Sequence, residues 1–425
     1  MSSTHTPITL SPAEEVAQRV FRTNPTLALL KTAGFEPHTF NVKVPRFEPS
    51  NQQVSGRCWL FAGVSLLRVL LKKRYKDLPE TFQYSVAYLH FFDMYEKSYN
   101  YLQTVIDTRE LPIDDRHVTF FISDCVSDGG TLPMFARLVD KYGLCTQVAF
   151  SDSYCSNNTK ILLLVLNNLL SMTAIQLRET RDTNKTTTIV SVTMRKVQRL
   201  LTIMLGTPPE RFEFCYSEKE QVTCKGIYTP REFAALLKTN LNEYVSLSDD
   251  PRHPRLRRYT IDYSGNLYLS RSSYINVSMD VLLAVVVASV RAGMPVWCAI
   301  DGSAFLNKSD GWYDEDQFAF KTILGVAFEL TKAQRLQYFR SGPNHAVLIT
   351  GLQIDDGGVS RLRLENSWGK TVSPSGHFAC SISFFKAYAY NIAVAPAFVP
   401  RLSIKGEDIT LDPWDAMGAL AANQK

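Results

Sequence analysis

Hydrophobic periodicity along the chain changes character near Pro295. Before it, apolar residues recur at helical spacing, in a nearly all-apolar segment over Trp59–Tyr75 and in periodic runs over Ile161–Leu177 and Met194–Leu205. After it, short apolar or strictly alternating segments are typical of strands, and residues 361–365 alternate strictly. Helices early and antiparallel strands late favour an α+β fold.

Local signals sharpen these predicted elements. Ser11–Glu14 and Thr229–Glu232 read as capping boxes that open helices, and a further helix is expected between Thr131 and Gly143. The most helical stretch, residues 156–245, is interpreted as a helical insertion or subdomain. The predicted late strands are 295–300, 345–354, 361–365, 377–385 and 391–399.

Composition excludes several classes of protein. Of 425 residues, 45% are hydrophobic and 11% aromatic, which argues against extensive disorder. The net charge of +5 is too small to indicate a dedicated nucleic-acid binder. The longest apolar runs, 161–166 and 281–288, fall short of the roughly 20 residues that span a bilayer. With no visible secretory signal, we expect a cytoplasmic protein without a membrane segment.

Eight cysteines are present without a CxxC pair, so a zinc ribbon or thioredoxin motif is not expected. We predict a reducing compartment and mostly free thiols. Cys58 differs from the others because it lies between a polar loop and the start of a long helix. A helix N-terminus favours a thiolate and therefore a nucleophile, although a buried structural thiol is the commoner role of a free cysteine.

A cysteine nucleophile needs a base and a group that orients the base. His345 opens an apolar strand, and Asn366 ends the next one, beside Trp368, which can shield a histidine–asparagine hydrogen bond from water. Gln52, six positions before Cys58, can donate to an oxyanion. These residues make a Cys–His–Asn set plausible without requiring it, because a histidine at a strand edge is common.

Several segments together carry a family resemblance. Asn51–Phe61 resembles the active-site segment of papain-like cysteine peptidases, and its Gly-Arg-Cys-Trp form resembles that of the bleomycin hydrolases, also called aminopeptidase C. Asn344–Ala346 and Glu365–Gly369 resemble the histidine and asparagine motifs of that family. Further matches, in order along the chain, are 127–130, 141–143, 205–210, 250–252 and 413–420.

The resemblance implies a papain-like two-lobed fold, with a helical lobe and an antiparallel, β-barrel-like lobe. It makes Cys58 the nucleophile, His345 the general base and acid, Asn366 the residue that orients it, and Gln52 an oxyanion donor. Trp368 would shield the His345–Asn366 bond. The implied reaction is amide hydrolysis through a thioester, from a resting thiolate–imidazolium pair, with no metal and no cofactor.

The resemblance also implies an organisation of the chain, as a homohexamer that acts on peptides with a free N-terminus and on the amide of bleomycin. The C-terminal arm would fill the cleft, with Leu420, Ala421 and Lys425 as gating residues. The tail after Ala421 is longer than is typical, and we hypothesise that the enzyme trims it. The expected regions are an N-terminal lead or hook (1–45), a helical lobe with the nucleophile (46–155), a helical insertion for oligomerisation (156–245), a β-rich lobe with His and Asn (246–400) and the arm (401–425).

Two alternatives stay open at this point. Arg252, Arg255, Arg257 and Arg258 form a basic cluster that can bind nucleic acid weakly, although a solvated surface loop is the simpler interpretation. An oligomeric nucleic-acid-binding or scaffold protein with little peptidase activity is therefore one alternative. An ordinary papain-type endopeptidase is the other.

Overall fold

The structure of the chain is a computed structural model, which describes residues 8–31, 38–218, 221–373 and 376–422. Its helices are α1 Pro12–Phe21, α2 Pro25–Leu29, α3 Cys58–Arg74, α4 Val86–Asp107, α5 Arg116–Ser123, α6 Leu132–Tyr142, α7 Tyr154–Asn157, α8 Lys160–Glu179, α9 Thr183–Leu205, α10 Pro230–Ala235, α11 Met279–Arg291, α12 Phe320–Leu324, α13 Lys332–Gln337, α14 Ile382–Tyr388 and α15 Ala419–Ala422. Its strands are β1 Val42–Lys43, β2 Phe212–Glu218, β3 Gln221–Tyr228, β4 Val245–Ser248, β5 Arg258–Ile261, β6 Ser272–Asn276, β7 Val296–Ile300, β8 Leu306–Asn307, β9 Trp312–Tyr313, β10 His345–Asp355, β11 Gly358–Glu365, β12 His377–Ser381, β13 Ala389–Val394 and β14 Ile409–Leu411.

A helical lobe, comprising α3 to α10, is organised around α3. This helix has apolar residues on almost every side, and its residues are buried continuously from Cys58 to Val69. A helix without a polar face must be surrounded by other elements. Accordingly α3 packs against α4, α6 and the sheet, while α8 and α9 pack on α4 and on each other.

A β lobe follows, built on one twelve-stranded sheet. The strand order is β14-β5-β6-β4-β13-β7-β10-β11-β12-β9-β8, and β1 pairs with β10. Most pairs are antiparallel, and the parallel pairs are β4/β6, β5/β14 and β9/β12. Apolar side chains of α11 and α14 cover the sheet and form a core with its central strands.

The two lobes meet where α3 contacts β7 and β10. The indole Nε1 of Trp297 on β7 donates a hydrogen bond to the backbone oxygen of Trp59, at 3.3 Å. A buried ion pair joins Arg68 on α3 to Glu365 on β11, at 2.6 Å. These contacts bring the start of α3 against the start of β10, where Cys58 and His345 lie.

The α+β class is confirmed, and several predicted elements differ in the structure. The predicted strand 391–399 is wrong beyond Val394, because Pro396 has no N–H to donate to a neighbouring strand and begins a 3₁₀ turn over Pro396–Phe398. The predicted strand 377–385 is wrong beyond Ser381, because β12 ends there and α14 begins. The hydroxyl of Ser381 accepts a hydrogen bond from the backbone N–H of Phe384, and Phe384 and Phe385 are buried. The strands between residues 245 and 276 were not predicted, because each has only four or five residues and is stabilised by its neighbours.

The stretch read as helical, 156–245, also contains an antiparallel hairpin formed by β2 and β3. Its register places Cys215 opposite Cys224, and the two form a disulfide. The expectation of mostly free thiols is therefore wrong for this pair, because the antiparallel register brings Cys215 and Cys224 face to face. Cysteines 58, 125, 145, 155, 298 and 380 are free. The regional boundaries given above stay predictions.

Among the described residues, one helix is long and apolar enough to cross a membrane by those two criteria. It is α8, with a mean hydropathy of 1.5 over its most apolar window. It lies in the middle of the chain and packs against α4 and α9. Core helices of this length meet the same criteria, so one such helix is weak support for a membrane span.

Candidate active site

Cys58 is the first residue of α3, and its side chain lies at the boundary of the two lobes. The preceding residue, Arg57, is the N-cap of α3, and its side chain accepts no hydrogen bond from the N–H groups of the first turn. The backbone N–H of Ala346 points at the Cys58 Sγ, at 3.4 Å. The thiol is 3% exposed, so it is shielded from water while facing donors from both lobes.

His345 begins β10, directly before the residue that contacts Cys58. Its Nε2 lies 2.8 Å from the Oδ1 of Asn366. That same oxygen accepts the backbone N–H of Ser367, so His345 must carry its proton on Nε2. The Nδ1 atom is then free to accept a proton. Trp368 stacks on the imidazole, with ring centres 5.0 Å apart. The structure thus brings Cys58, His345, Asn366 and Trp368 together.

Gln52 is held with its amide in a defined orientation. Its Oε1 accepts a hydrogen bond from the hydroxyl of Ser367, and its Nε2 donates to the backbone oxygen of Ser55, both at 2.5 Å. An amide nitrogen carries two hydrogens, so one remains for a second acceptor. Ser367 was not singled out from the sequence, although it directly follows Asn366.

Burial acts on both members of the Cys58–His345 pair in the direction of neutrality. It raises the pKa of the Cys58 thiol to about 11. It also lowers the pKa of His345 to about 4, against the opposing hydrogen bond to Asn366. A thiolate–imidazolium pair, as the resemblance implies, must therefore be stabilised by the attraction between its own charges and by the donors around Sγ.

Asp128 supports the loop before Cys58, a role that sequence reasoning did not assign. Its Oδ2 accepts hydrogen bonds from the Gly56 N–H at 3.0 Å and from the Thr159 hydroxyl at 2.5 Å, and its Oδ1 contacts His90 at 3.2 Å. Burial alone would raise the pKa of Asp128, but the bonds from His90, Thr159 and Gly56 lower it overall. Asp128 lies in the segment 127–130 that resembles the family, but its neighbours in the sequence give no indication that it contacts Gly56, 72 positions earlier.

Arg57 is a second support that the sequence left without a role. It is fully buried, and its guanidinium donates to the Ser55 hydroxyl at 3.0 Å, to Asp152 at 3.3 Å and to Asn157 at 3.3 Å. Asp152 and Asn157 lead into the long helices α8 and α9. Arg57 therefore ties the loop next to Cys58 to the segment that precedes these helices.

The C-terminal arm is attached at several points. Asp415 pairs with Arg252 at 2.8 Å, and Trp414 lies under the guanidinium of Arg116, 4.0 Å from the ring centre. Leu420 is 5% exposed and lines a small cavity between the lobes, together with Trp297. Of the other predicted gating residues, Ala421 belongs to α15, and Lys425 lies outside the described residues.

The arginine cluster is largely engaged within the protein. Arg252 pairs with Asp250 as well as with the arm, and Arg255 pairs with Asp249 at 2.6 Å. Arg258 pairs with Asp408 at 3.6 Å on the surface, and Arg257 lies beside Gly406. These contacts do not favour a nucleic-acid interface, which stays a prediction.

Comparison with known proteins gives a consistent result. A sequence model of the Peptidase C1-like family matches residues 4–418. The chain belongs to this family. It is 32% identical to aminopeptidase C from Lactococcus lactis subsp. cremoris, over 90% of the chain and 89% of that protein. It is also 32% identical to human bleomycin hydrolase, over 96% of the chain and 95% of that protein.

These relatives place the chain within the bleomycin hydrolase and aminopeptidase C branch of the Peptidase C1-like family. Its fold matches the crystal structure of PepW from Lactobacillus rhamnosis HN001, with a TM-score of 0.89 and 27% identity. The match covers 96% of this chain and 95% of PepW. The papain-like fold that the sequence resemblance implies is therefore confirmed over nearly the whole chain.

Proposed function

We propose that this cysteine aminopeptidase removes residues one at a time from the free N-terminus of peptides, through a thioester on Cys58. The observation that carries the proposal is the joint position of Cys58, His345 and Asn366 at the lobe boundary. Nothing in folding requires a buried thiol beside a histidine whose tautomer is fixed by an asparagine.

The chemistry follows from the donors present. Nδ1 of His345 accepts the proton of the Cys58 thiol as Sγ attacks the carbonyl carbon of the scissile bond. The resulting oxyanion accepts hydrogen bonds from Gln52 Nε2 and the Cys58 N–H. The imidazolium then protonates the leaving amine, and water hydrolyses the thioester. Asn366 and Trp368 keep the ring in one orientation through both proton transfers.

The arm supports exopeptidase action. Leu420 lines a small cavity between the lobes, and we propose that residues N-terminal to the scissile bond of a longer substrate would need this space. A filled cleft leaves room for a short N-terminal portion of the substrate. Because a human relative is named bleomycin hydrolase, we include hydrolysis of the bleomycin amide as a further proposed activity of the same site.

The deciding experiment compares aminoacyl fluorogenic amides with free and with acetylated N-termini. We expect activity on free amines alone, and its loss in Cys58→Ala, which removes the nucleophile. Equal cleavage of acetylated substrates would refute the exopeptidase proposal, and retained activity in Cys58→Ala would refute the mechanism. Truncation after Leu411 should open the cleft to acetylated substrates.

Assembly and tail processing are part of the same proposal. Apolar side chains of α8 are exposed in the single chain, including Ile161, Leu164, Met172 and Ile175, and we propose that the insertion contributes to a cytoplasmic homohexamer. Light scattering after size-exclusion chromatography measures the mass directly, and a monomer would refute this. Intact-mass comparison of wild type with Cys58→Ala tests self-trimming, and equal, untrimmed masses would contradict it.

A further inference from the structure

The β2–β3 hairpin carries a group of side chains that the proposed peptidase chemistry does not use. Cys215 lies directly opposite Cys224, and Glu213 precedes Cys215 by two positions on β2. Burial alternates along β2, with Phe212, Phe214 and Tyr216 buried while Glu213 is exposed and Cys215 is half-buried. Glu213 and Cys215 therefore lie on the outward face of the hairpin.

The inward face fixes the hairpin independently of these thiols. The ring of Phe214 is fully buried and packs edge-on against Tyr75, Phe82 and Phe233 of the helical lobe. The Tyr216 hydroxyl donates to Asp77 at 2.7 Å. Opening the disulfide would therefore leave the two strands docked, with both sulfur atoms still on the outward side.

The donor atoms are close enough to share one ion. One ligand atom from each of Glu213, Cys215 and Cys224 lies within 4.8 Å of the other two. Ligand bonds of about 2.0–2.3 Å in a tetrahedral zinc site separate neighbouring ligand atoms by about 3.3–3.8 Å, which small side-chain rotations here can reach. The residue opposite Glu213 is the apolar Ile227, so that position supplies no competing cation.

We propose that the reduced hairpin binds a thiophilic divalent cation such as Zn²⁺, through the thiolates of Cys215 and Cys224 and the carboxylate of Glu213. Cys224 and Glu213 are exposed, so water takes the fourth position. Binding releases the two thiol protons. Oxidation by a low-molecular-weight disulfide transfers two electrons from the thiols, forms the protein S–S bond and yields two small thiols. The disulfide removes both sulfur ligands, so ion and disulfide are alternative cross-links of one hairpin.

The test uses the full chain, reduced with a phosphine that is then removed, and ZnCl₂ alone as the probe. Bound zinc is measured after equilibrium dialysis by elemental mass spectrometry. We expect about one equivalent more zinc in the reduced wild type than in Cys224→Ser or in protein oxidised with glutathione disulfide. Cys125→Ser is the matched control, because Cys125 is a free, half-buried thiol that contacts Ser171, and it should keep the full amount.

Glu213→Gln keeps the test independent of any folding defect in the cysteine variants, because Glu213 is exposed. It should weaken zinc affinity by at least about tenfold, as loss of a ligating group does more than loss of an outer partner. Unchanged zinc content in Cys224→Ser, or equal binding by the oxidised protein, would overturn the proposal. Peptidase activity is not the readout, so failure here leaves the proposed function untouched.

Discussion

The ion pair between Asp415 and Arg252 should control how firmly the C-terminal arm stays in the cleft. Asp415 Oδ1 accepts the Arg252 guanidinium at 2.8 Å and also caps the following turn by accepting the Met417 N–H at 2.8 Å. Asp415→Ala removes both contacts at once. Arg252 keeps its pairing with Asp250, so the substitution does not leave an unpaired buried charge.

The size of the effect follows from these two contacts. A hydrogen bond to a charged group contributes about 1.5–3 kcal/mol, and a capping side chain contributes about 1 kcal/mol. The Asp415 and Arg252 side chains are 13% and 15% exposed, so solvent screens part of the attraction. Taking about 2 kcal/mol for the two together, the fraction of molecules with an undocked arm should rise about 30-fold.

The assay is the ratio of kcat/KM for an acetylated aminoacyl amide to that for the free amine. Asp415→Ala should raise this ratio by up to about 30-fold, because in the proposed gating only an undocked arm admits the blocked substrate. Asp408→Ala is the matched control, since Asp408 belongs to the same arm and is 63% exposed in its pair with Arg258. An unchanged ratio in Asp415→Ala, or an equal rise in Asp408→Ala, would refute the reasoning.

Three further predictions concern the site and its supports. Asn366→Ala should lower kcat by about 100-fold with little change in KM, because the imidazole loses its fixed orientation; steady-state kinetics showing less than about a twofold fall would contradict this. Arg57→Met should lower the free energy of unfolding by about 3 kcal/mol, because it breaks a buried ion pair with Asp152. Urea unfolding measures this loss. The control Arg109→Met, at a more exposed ion pair, should leave the free energy of unfolding nearly unchanged. Alkylation of Cys58 by iodoacetamide should accelerate as pH rises toward about 11, because burial raises the pKa of its thiol to about 11 and only the thiolate reacts; a constant rate across the neutral range would instead indicate an ion pair.

The candidate site could be predicted because its residues lie in short contiguous motifs. Cys58 with its preceding loop, His345 at a strand start and Asn366 at a strand end each carry a local signal. Their meeting in space came from the family resemblance rather than from any periodicity. The residues that hold the loop before Cys58 in place could not be predicted from the sequence. Asp128 contacts Gly56 across 72 positions of the chain, and a contact between such distant residues is not visible in the local sequence pattern.

The misread elements share a different cause. The α14 segment contains Phe384 and Phe385, which are as compatible with a strand as with a helix. The N-cap at Ser381 and the burial of these two rings stabilise the helix. The β2–β3 hairpin lies after two long helices and lacks a two-residue Asn-Gly or Asp-Gly turn, so its strands were read as part of a helical region. The disulfide followed from that error, because only the register brings Cys215 and Cys224 together.

The bonds of Asp128 and Arg57 have a consequence for how this architecture can be simplified. Asp128 joins Gly56 to Thr159, the residue directly before α8, and Arg57 joins the same loop to Asn157. Deleting α8 and α9 with the segment that leads into them would remove Asn157 and Thr159. The buried Arg57 guanidinium beside Cys58 and the buried Asp128 carboxylate, which contacts Gly56, would each lose a hydrogen-bond partner. The segment that contains α8 and α9 thus supports the loop before Cys58, and a shortened protein would need a redesigned loop to keep the Cys58 side chain in its present position.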